Sequence, residues 1–152
     1  MASYFFDSSA ITKRYVTEAG SAWVRSLTAR KAQNDLILAR ITEVEVTSAL
    51  TRHRPPLLPA DLRRALKAFQ VDCRWRFRFV AIDRSLVVEA ADLVPKHRLR
   101  GYDAVQLAAL LEAGARNRAR GLPVPILVSA DADLNAAAAA EGFAVDDPNT
   151  HP

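Results

Sequence analysis

Four acidic residues follow apolar or aromatic segments at widely separated points of the chain. They are Asp7 after Tyr4-Phe5-Phe6, Glu45 after Leu36-Ile37-Leu38, Asp103 after Gly101-Tyr102, and Asp131 after Ile126-Leu127-Val128. Each stands at or near the start of an expected helix. Acids there have an ordinary use, since they accept hydrogen bonds from free N–H groups and suit the positive end of the helix dipole. Glu45 stands three residues after Thr42, the capping-box spacing, and Asp131 suits an N-cap. Taken together the four allow another use. In an open parallel sheet, ligands bind beyond the carboxyl ends of the strands, where these acids would meet. Crowded carboxylates repel one another unless a cation neutralises them. Mg²⁺ or Mn²⁺ suits an all-oxygen site of that kind. Such an ion polarises a phosphoryl oxygen and acidifies water, which is the chemistry of phosphodiester hydrolysis.

The elements that must position these acids alternate along the chain. Strands are expected at 3–7, 36–39, 79–82, 126–128 and 143–145. Between them the spacing of apolar residues predicts helices. The first opens at Ser8-Ser9 and ends at Gly20, and a second covers 21–31. Others cover 42–54, 60–75, 85–94 (stopped by Pro95), 102–118 and 131–141. Pro55-Pro56 and Pro59 break the third from the fourth. The 102–118 helix is apolar on nearly every face, which predicts burial. Strands separated by helices predict an α/β fold with a parallel sheet and right-handed crossovers.

Four segments then resemble one known family, the PIN domain, and within it the VapC-type toxins of toxin–antitoxin pairs. Tyr4-Phe5-Phe6-Asp7-Ser8-Ser9-Ala10 resembles the family's opening strand and first metal-binding acid. Arg40-Ile41-Thr42 with Glu45, then Ala49-Leu50, resembles the segment bearing its Glu. Arg100-Gly101-Tyr102-Asp103-Ala104-Val105-Gln106-Leu107-Ala108 resembles its most recognisable motif. Leu127-Val128-Ser129-Ala130-Asp131, with Leu134 and Gly142, resembles the fourth segment.

The resemblance spans nearly the whole chain. It implies a three-layer α/β/α sandwich around a parallel sheet of four to five strands, forming one domain over 1–152. It also implies an Mg²⁺- or Mn²⁺-dependent endoribonuclease that leaves a 5′-phosphate and a 3′-hydroxyl. Asp7, Glu45, Asp103 and Asp131 would be the catalytic, metal-holding acids, with Ser8 and Ser129 hydrogen-bonding beside them. Ser129 stands where the family often has Thr, and Gln106 where it often has His. Glu43 competes with Glu45 for the second acid. The spacing to Ala49-Leu50 favours Glu45. Asp133 is a candidate accessory acid or a solvated first-turn residue. The implied partners are an RNA substrate, a cognate VapB-like antitoxin and a second copy of the chain. Two alternatives stay open: a housekeeping RNA-processing nuclease of the same fold, and a non-catalytic nucleic-acid-binding module with a degenerate site.

Composition sets wider bounds. The 152 residues suit one domain with a real core. Twenty-one basic against 17 acidic side chains give a net charge of +4, which favours a polyanionic partner or simply aids solubility. Lys13 and Arg14 on the first helix, and Lys96, Arg98 and Arg100 just before Asp103, are the candidates for gripping phosphates. Arg74, Arg76 and Arg78 alternate with Trp75, Phe77 and Phe79, a pattern that fits either a stacking stripe or a core edge with wet arginines. Cys73 is the only cysteine, so no intramolecular disulfide forms and a reducing cytoplasm fits. No apolar run is long enough for a membrane helix, and no signal peptide is expected. The histidines lack metal-ligand spacing: His53 and His97 read as surface residues and His151 as a frayed tail. Phosphoryl transfer to Asp7 is disfavoured. Dehalogenase-like phosphatases need an acid where Ser9 stands, and response receivers need acids where Phe5 and Phe6 stand.

Overall fold

The computed structural model describes residues 1–151, so Pro152, the last residue of the expected domain, lies outside the described residues. The chain runs β1 (Ser3–Phe6), α1 (Ser8–Ile11), α2 (Ser21–Leu27), β2 (Asp35–Ala39), α3 (Thr42–Thr51), α4 (Pro59–Trp75) and β3 (Arg78–Val80). It continues through α5 (Arg84–His97), α6 (Gly101–Ala119), β4 (Ile126–Val128), α7 (Ala132–Ala140) and β5 (Val145–Asp146). Short 3₁₀ turns occupy Thr12–Arg14, Arg30–Ala32 and Pro148–Thr150. No helix among the described residues is long and apolar enough to cross a membrane.

The five strands form one sheet in the order β3-β2-β1-β4-β5, and every neighbouring pair is parallel. Because side chains alternate along a strand, each strand feeds two cores. Phe5, Ile37, Ala39 and Leu127 join the core under α5, α6 and α7. Phe6, Leu36, Leu38 and Val128 join the core under α1, α3 and α4. This is the three-layer α/β/α sandwich with a parallel sheet. Phe5 and Phe6 are fully buried on opposite faces. Burial of each stabilises the fold by about 1.5–3 kcal/mol. From β1 the chain builds outward to β2 and β3, then returns to place β4 and β5 on the other flank. The strand order therefore reverses between β1 and β4, and in open α/β sheets that crevice is where ligands bind.

Several boundaries differ from expectation. The first helix stops at Ile11 rather than Gly20. Beyond it the Lys13 ammonium bonds the Ala19 carbonyl at 3.0 Å, and Arg25 bonds the Arg14 and Val16 carbonyls at 3.1 and 2.7 Å. Side chains thus satisfy backbone groups that a continued helix would have paired. Gly20, at φ +80°, then turns the chain into α2. A Cβ there would lie 2.2 Å from the Pro148 carbonyl oxygen. Pro95 does not end α5, which reaches His97 and closes on Arg98 in the left-handed region. The proline falls in the last turn on an exposed face, so the carbonyl it leaves unpaired meets water. β3 ends at Val80 rather than 82, and β5 begins at Val145 rather than 143. Phe143 is drawn into the core, with its ring against Gly114 of α6. The C-terminal segment is tied down rather than frayed. His151 stacks on Trp23 at 3.9 Å, and its Nε2 lies 2.7 Å from Asp146 Oδ1.

Candidate functional site

β1 and β4 end side by side, and the Asp7 N–H donates to the Val128 carbonyl at 3.3 Å. Asp7 caps α1, with Oδ1 accepting from the Ala10 N–H at 2.9 Å. Its carboxylate also receives the Ser9 hydroxyl, 2.7 Å from Oδ1, and the Ser129 hydroxyl, 2.7 Å from Oδ2. Ser129 is fully buried and has a second task, because its Oγ accepts the Asp131 N–H at 3.0 Å. Ser9 Oγ likewise accepts the Ala130 N–H at 2.9 Å. Two serines thus fasten the loop after β4 onto the acid after β1. Asp131 caps α7, accepting from the Leu134 N–H at 2.9 Å.

Glu45 and Asp103 come from helices outside this central pair and cap nothing. The capping box expected from Thr42 and Glu45 does not form. The N-cap of α3 is Ile41, and Thr42 lies inside the helix, fully buried. The Glu45 carboxylate turns instead to α6, where Gln106 Nε2 donates to Oε2 at 2.6 Å and to Thr42 Oγ1 at 3.0 Å. Glu43 points elsewhere, paired with Arg40 at 3.0 Å. The structure therefore separates the two glutamates that the sequence left in competition.

The electrostatics link the four acids in a chain. Burial raises the Asp7 carboxyl from 3.8 to about 6; the bonds from Ser129, Ser9 and Ala10 oppose the rise and Glu45 adds to it. Burial also raises Glu45, against the pull of Gln106 and Ser8, and Asp103 adds to the rise. Burial raises Asp103 too, and Asp131 and Asp133 push it further while Arg100 opposes them. Asp131, Asp103 and Glu45 each make the next acid toward Asp7 harder to ionise, as happens when like charges converge. Asp133 contributes from an exposed position on the first turn of α7.

Among the described residues, no three acidic, His or Cys side chains stand in a ready-made metal cluster. Asp7 is turned onto its serines and Glu45 onto Gln106. The donor set nevertheless fits a hard divalent cation, since all four candidate ligands are carboxylates. Among the described residues, two buried side-chain atoms lack a hydrogen-bond partner, Gln106 Oε1 and Asn135 Oδ1. Both flank this site: Gln106 holds Glu45, and Asn135 Nδ2 donates to the Ser129 carbonyl at 2.8 Å. Unpaired buried acceptors are rare in folded proteins and call for a partner such as an ion with its waters.

The candidate phosphate-gripping residues divide. Lys13 is buried and bonds Glu18 at 3.1 Å, and Arg14 bonds Asp72 at 2.9 Å and Thr28 Oγ1 at 2.9 Å. Both are committed to the interior, because α1 ends early and turns them inward. Lys96 is exposed but paired with Glu141 at 2.5 Å, where His97 also bonds at 2.6 Å, so His97 is not the free surface residue expected. Arg98 and Arg100 are exposed, and Arg100 reaches within 3.9 Å of Asp103. Of the alternating stretch, Arg76 bonds the Thr28 carbonyl and Arg78 bonds Asp35 at 2.6 Å. Phe77 is buried, while Trp75 stays out beneath Arg74. Ser9, Gln106 and Asn135 as supports of the acids are what sequence reasoning missed. Gln106 carried one signal, its place three residues after Asp103 on the same helix face.

Known proteins share this fold. The PIN domain family model matches residues 4–140. No curated protein matches the chain. Among solved structures, Mycobacterium tuberculosis VapC20, described as a sarcin–ricin-loop-cleaving toxin, is 19% identical with a TM-score of 0.64, over 98% of this chain and 99% of that one. PAE2754 from Pyrobaculum aerophilum is 20% identical with a TM-score of 0.60, over 98% and 91% of the two chains. A toxin–antitoxin complex from Klebsiella pneumoniae is 17% identical with a TM-score of 0.55, over 95% and 97%. With a five-stranded parallel sheet and a family match over residues 4–140, the chain belongs to the PIN domain family.

Proposed function

We propose that the protein is a metal-dependent endoribonuclease acting as the toxin of a VapBC-like type II toxin–antitoxin pair. The observation that carries this reading is the linked set of acids near the sheet's switch point: Asp131 raises the proton affinity of Asp103, Asp103 that of Glu45, and Glu45 that of Asp7. Mg²⁺ or Mn²⁺ held by these carboxylates would polarise a phosphoryl oxygen and acidify a water for in-line attack. The chain's own residues do the positioning. Ser9, Ser129 and the Ala10 N–H fix both oxygens of Asp7. Gln106 fixes Glu45 from the facing helix. Arg98 and Arg100 present cations to the substrate backbone beside Asp103, where phosphate contacts set affinity and register.

RNA as substrate is supported by the VapC20 relative, whose described target is the sarcin–ricin loop. An antitoxin partner is supported by the Klebsiella relative, described as a toxin–antitoxin complex. A homodimer and a cytoplasmic location complete the reading. The test is direct. Purified protein should cut single-stranded RNA with Mg²⁺ or Mn²⁺, leave 5′-phosphate ends, and stop on chelation. Asp7→Asn should lower cleavage by orders of magnitude while keeping the parent's circular dichroism. Equal cleavage by parent and variant would overturn the assignment. Co-purification with the product of a short neighbouring reading frame tests the antitoxin.

A further inference from the structure

A second feature adjoins the acids. Between α3 and the first turn of α6 lies an open groove of about 520 Å³, lined by Ile41, Val44, Glu45, Ser48, Ala49, Arg52 and Tyr102. Its composition is uneven in a useful way. Tyr102 is 64% exposed and Val44 67% exposed, large apolar surfaces left in water. Tyr102 directly precedes Asp103, and Glu45 itself forms part of the wall. Arg52 at the other end is exposed, and among the described residues no ion pair or hydrogen bond holds its side chain. It caps the end of α3, seven residues from Glu45, which is about 10 Å along a helix axis.

We propose that this groove is a single-nucleotide subsite. The base next to the scissile phosphodiester stacks on Tyr102 against Ile41, Val44 and Ala49, and Arg52 takes the adjoining phosphate. The assignment rests on the nuclease reading above and says where that enzyme holds its substrate. Three observations favour a nucleotide over an apolar peptide. The groove shares Glu45 with the catalytic acids, so its occupant lies against the reacting bond. An aromatic ring left largely exposed beside aliphatic groups is a stacking platform that any base can use. A free guanidinium at the far end supplies the charge that a phosphate needs and that an apolar side chain does not.

Binding and cleavage are measured separately, so the two readings can fail separately. Binding uses the Asp7→Asn protein with chelator present and a short fluorescein-labelled single-stranded RNA of mixed sequence, read by anisotropy. Adding Tyr102→Ala should weaken binding about tenfold to a hundredfold, the range for one lost base stack. Tyr102→Phe should stay within about threefold, since the ring face is kept. Arg52→Ala should weaken binding and lower the salt dependence by about one phosphate contact. In the active protein Tyr102→Ala should raise KM more than it lowers kcat, and should change which phosphodiesters are cut. Thermal melts confirm that these surface variants fold. If Tyr102→Ala binds RNA within about twofold of its background and cuts with unchanged KM and cut sites, the subsite is wrong while the nuclease stands. The same holds if the substitution weakens only the complex with the co-encoded small protein, which makes the groove a protein-docking face. Failure of the parent to cut any RNA removes the nuclease reading, and the anisotropy arm still reports whether the groove binds a nucleotide.

Discussion

Neutralising Asp7 should make the metal-free protein more stable while destroying its activity. The side chain is only 5% exposed, and burial raises its carboxyl from 3.8 to about 6. The difference of about 2.2 pH units, at 1.36 kcal/mol each, means that holding the ionised form in the fold costs about 3 kcal/mol at neutral pH. Asparagine carries no charge to desolvate and is as good an N-cap as aspartate. Its oxygen can still accept the Ala10 N–H, and its amide can donate to the Ser9 and Ser129 hydroxyls once these rotate. Asp7→Asn should therefore gain about 2–3 kcal/mol in chelator at pH 7. With urea slopes of about 1–3 kcal/mol/M, that moves the unfolding midpoint up by about 0.7–3 M.

The pH dependence has a definite sign. A carboxyl that binds its proton more tightly folded than unfolded lowers stability as pH rises from 3.8 to about 6 and no further. The advantage of Asp7→Asn should vanish near pH 4, grow between pH 4 and 6, and be flat above. Urea titrations followed by circular dichroism at several pH values measure this. Adding Mg²⁺ should stabilise the parent, by an amount set by its affinity, and the variant much less. A variant no more stable than the parent at pH 7, or one whose gain is the same at pH 4 and 8, refutes the account of Asp7 as a desolvated charge.

Three other perturbations probe separate parts of the structure. Ser129→Ala removes the donor to Asp7 Oδ2 and leaves the Asp131 N–H without its acceptor; it should cost about 1–3 kcal/mol by urea unfolding and slow cleavage. Gly114→Ala places a Cβ 2.7 Å from the Phe143 ring, deep between α6 and the C-terminal segment; the overpacking should cost about 1–3 kcal/mol and lower the melting temperature. Glu141 is held below its usual 4.5 by its bonds to Lys96 and His97, so its contribution is complete above pH 4.5 and is lost as pH falls through the lower folded value. Glu141→Gln should flatten the acid limb of a melting-temperature profile between pH 5 and 3.

Much of this fold is legible in the sequence because a buried parallel strand writes itself as a short apolar run. Tyr4-Phe5-Phe6, Leu36-Ile37-Leu38 and Ile126-Leu127-Val128 each lie in the observed strands, and the acids that follow two of them sit at strand ends. The less legible parts depend on contacts distant in sequence. Nothing local shows that α1 stops at Ile11, because what replaces its hydrogen bonds comes from Lys13 and Arg25 reaching across a turn. Pro95 marks a helix end only to within a turn, since a missing N–H matters little on an exposed final turn. Asn117 stands between Arg116 and Arg118 near the end of α6, where nothing local marks it for burial. In the structure it is fully buried, bonding Ser3 at 3.1 Å, the Pro123 carbonyl at 2.7 Å and Arg78 at 2.8 Å. It thereby ties together the strand ends opposite the acids. Burial also pushes Asp35 up, but bonds from Arg78 and Ser3 outweigh that and hold its carboxyl below 3.8.

The acids themselves show why magnitude, rather than position, separates a cap from a functional carboxylate. The capping explanation is correct for Asp7 and Asp131, which each accept the N–H three residues on. A cap contributes about 1 kcal/mol. Asp7 gives up about 3 kcal/mol to be ionised where it stands, so capping alone leaves a deficit that a surface aspartate would never incur. Glu45 and Asp103 cap nothing, yet both have their proton affinity raised by burial and by another acid of the set. If the four served the fold, the fold would be better served by neutral residues at three of the positions. A divalent cation bound among them would attract each carboxylate, offsetting their mutual repulsion and part of the deficit at Asp7.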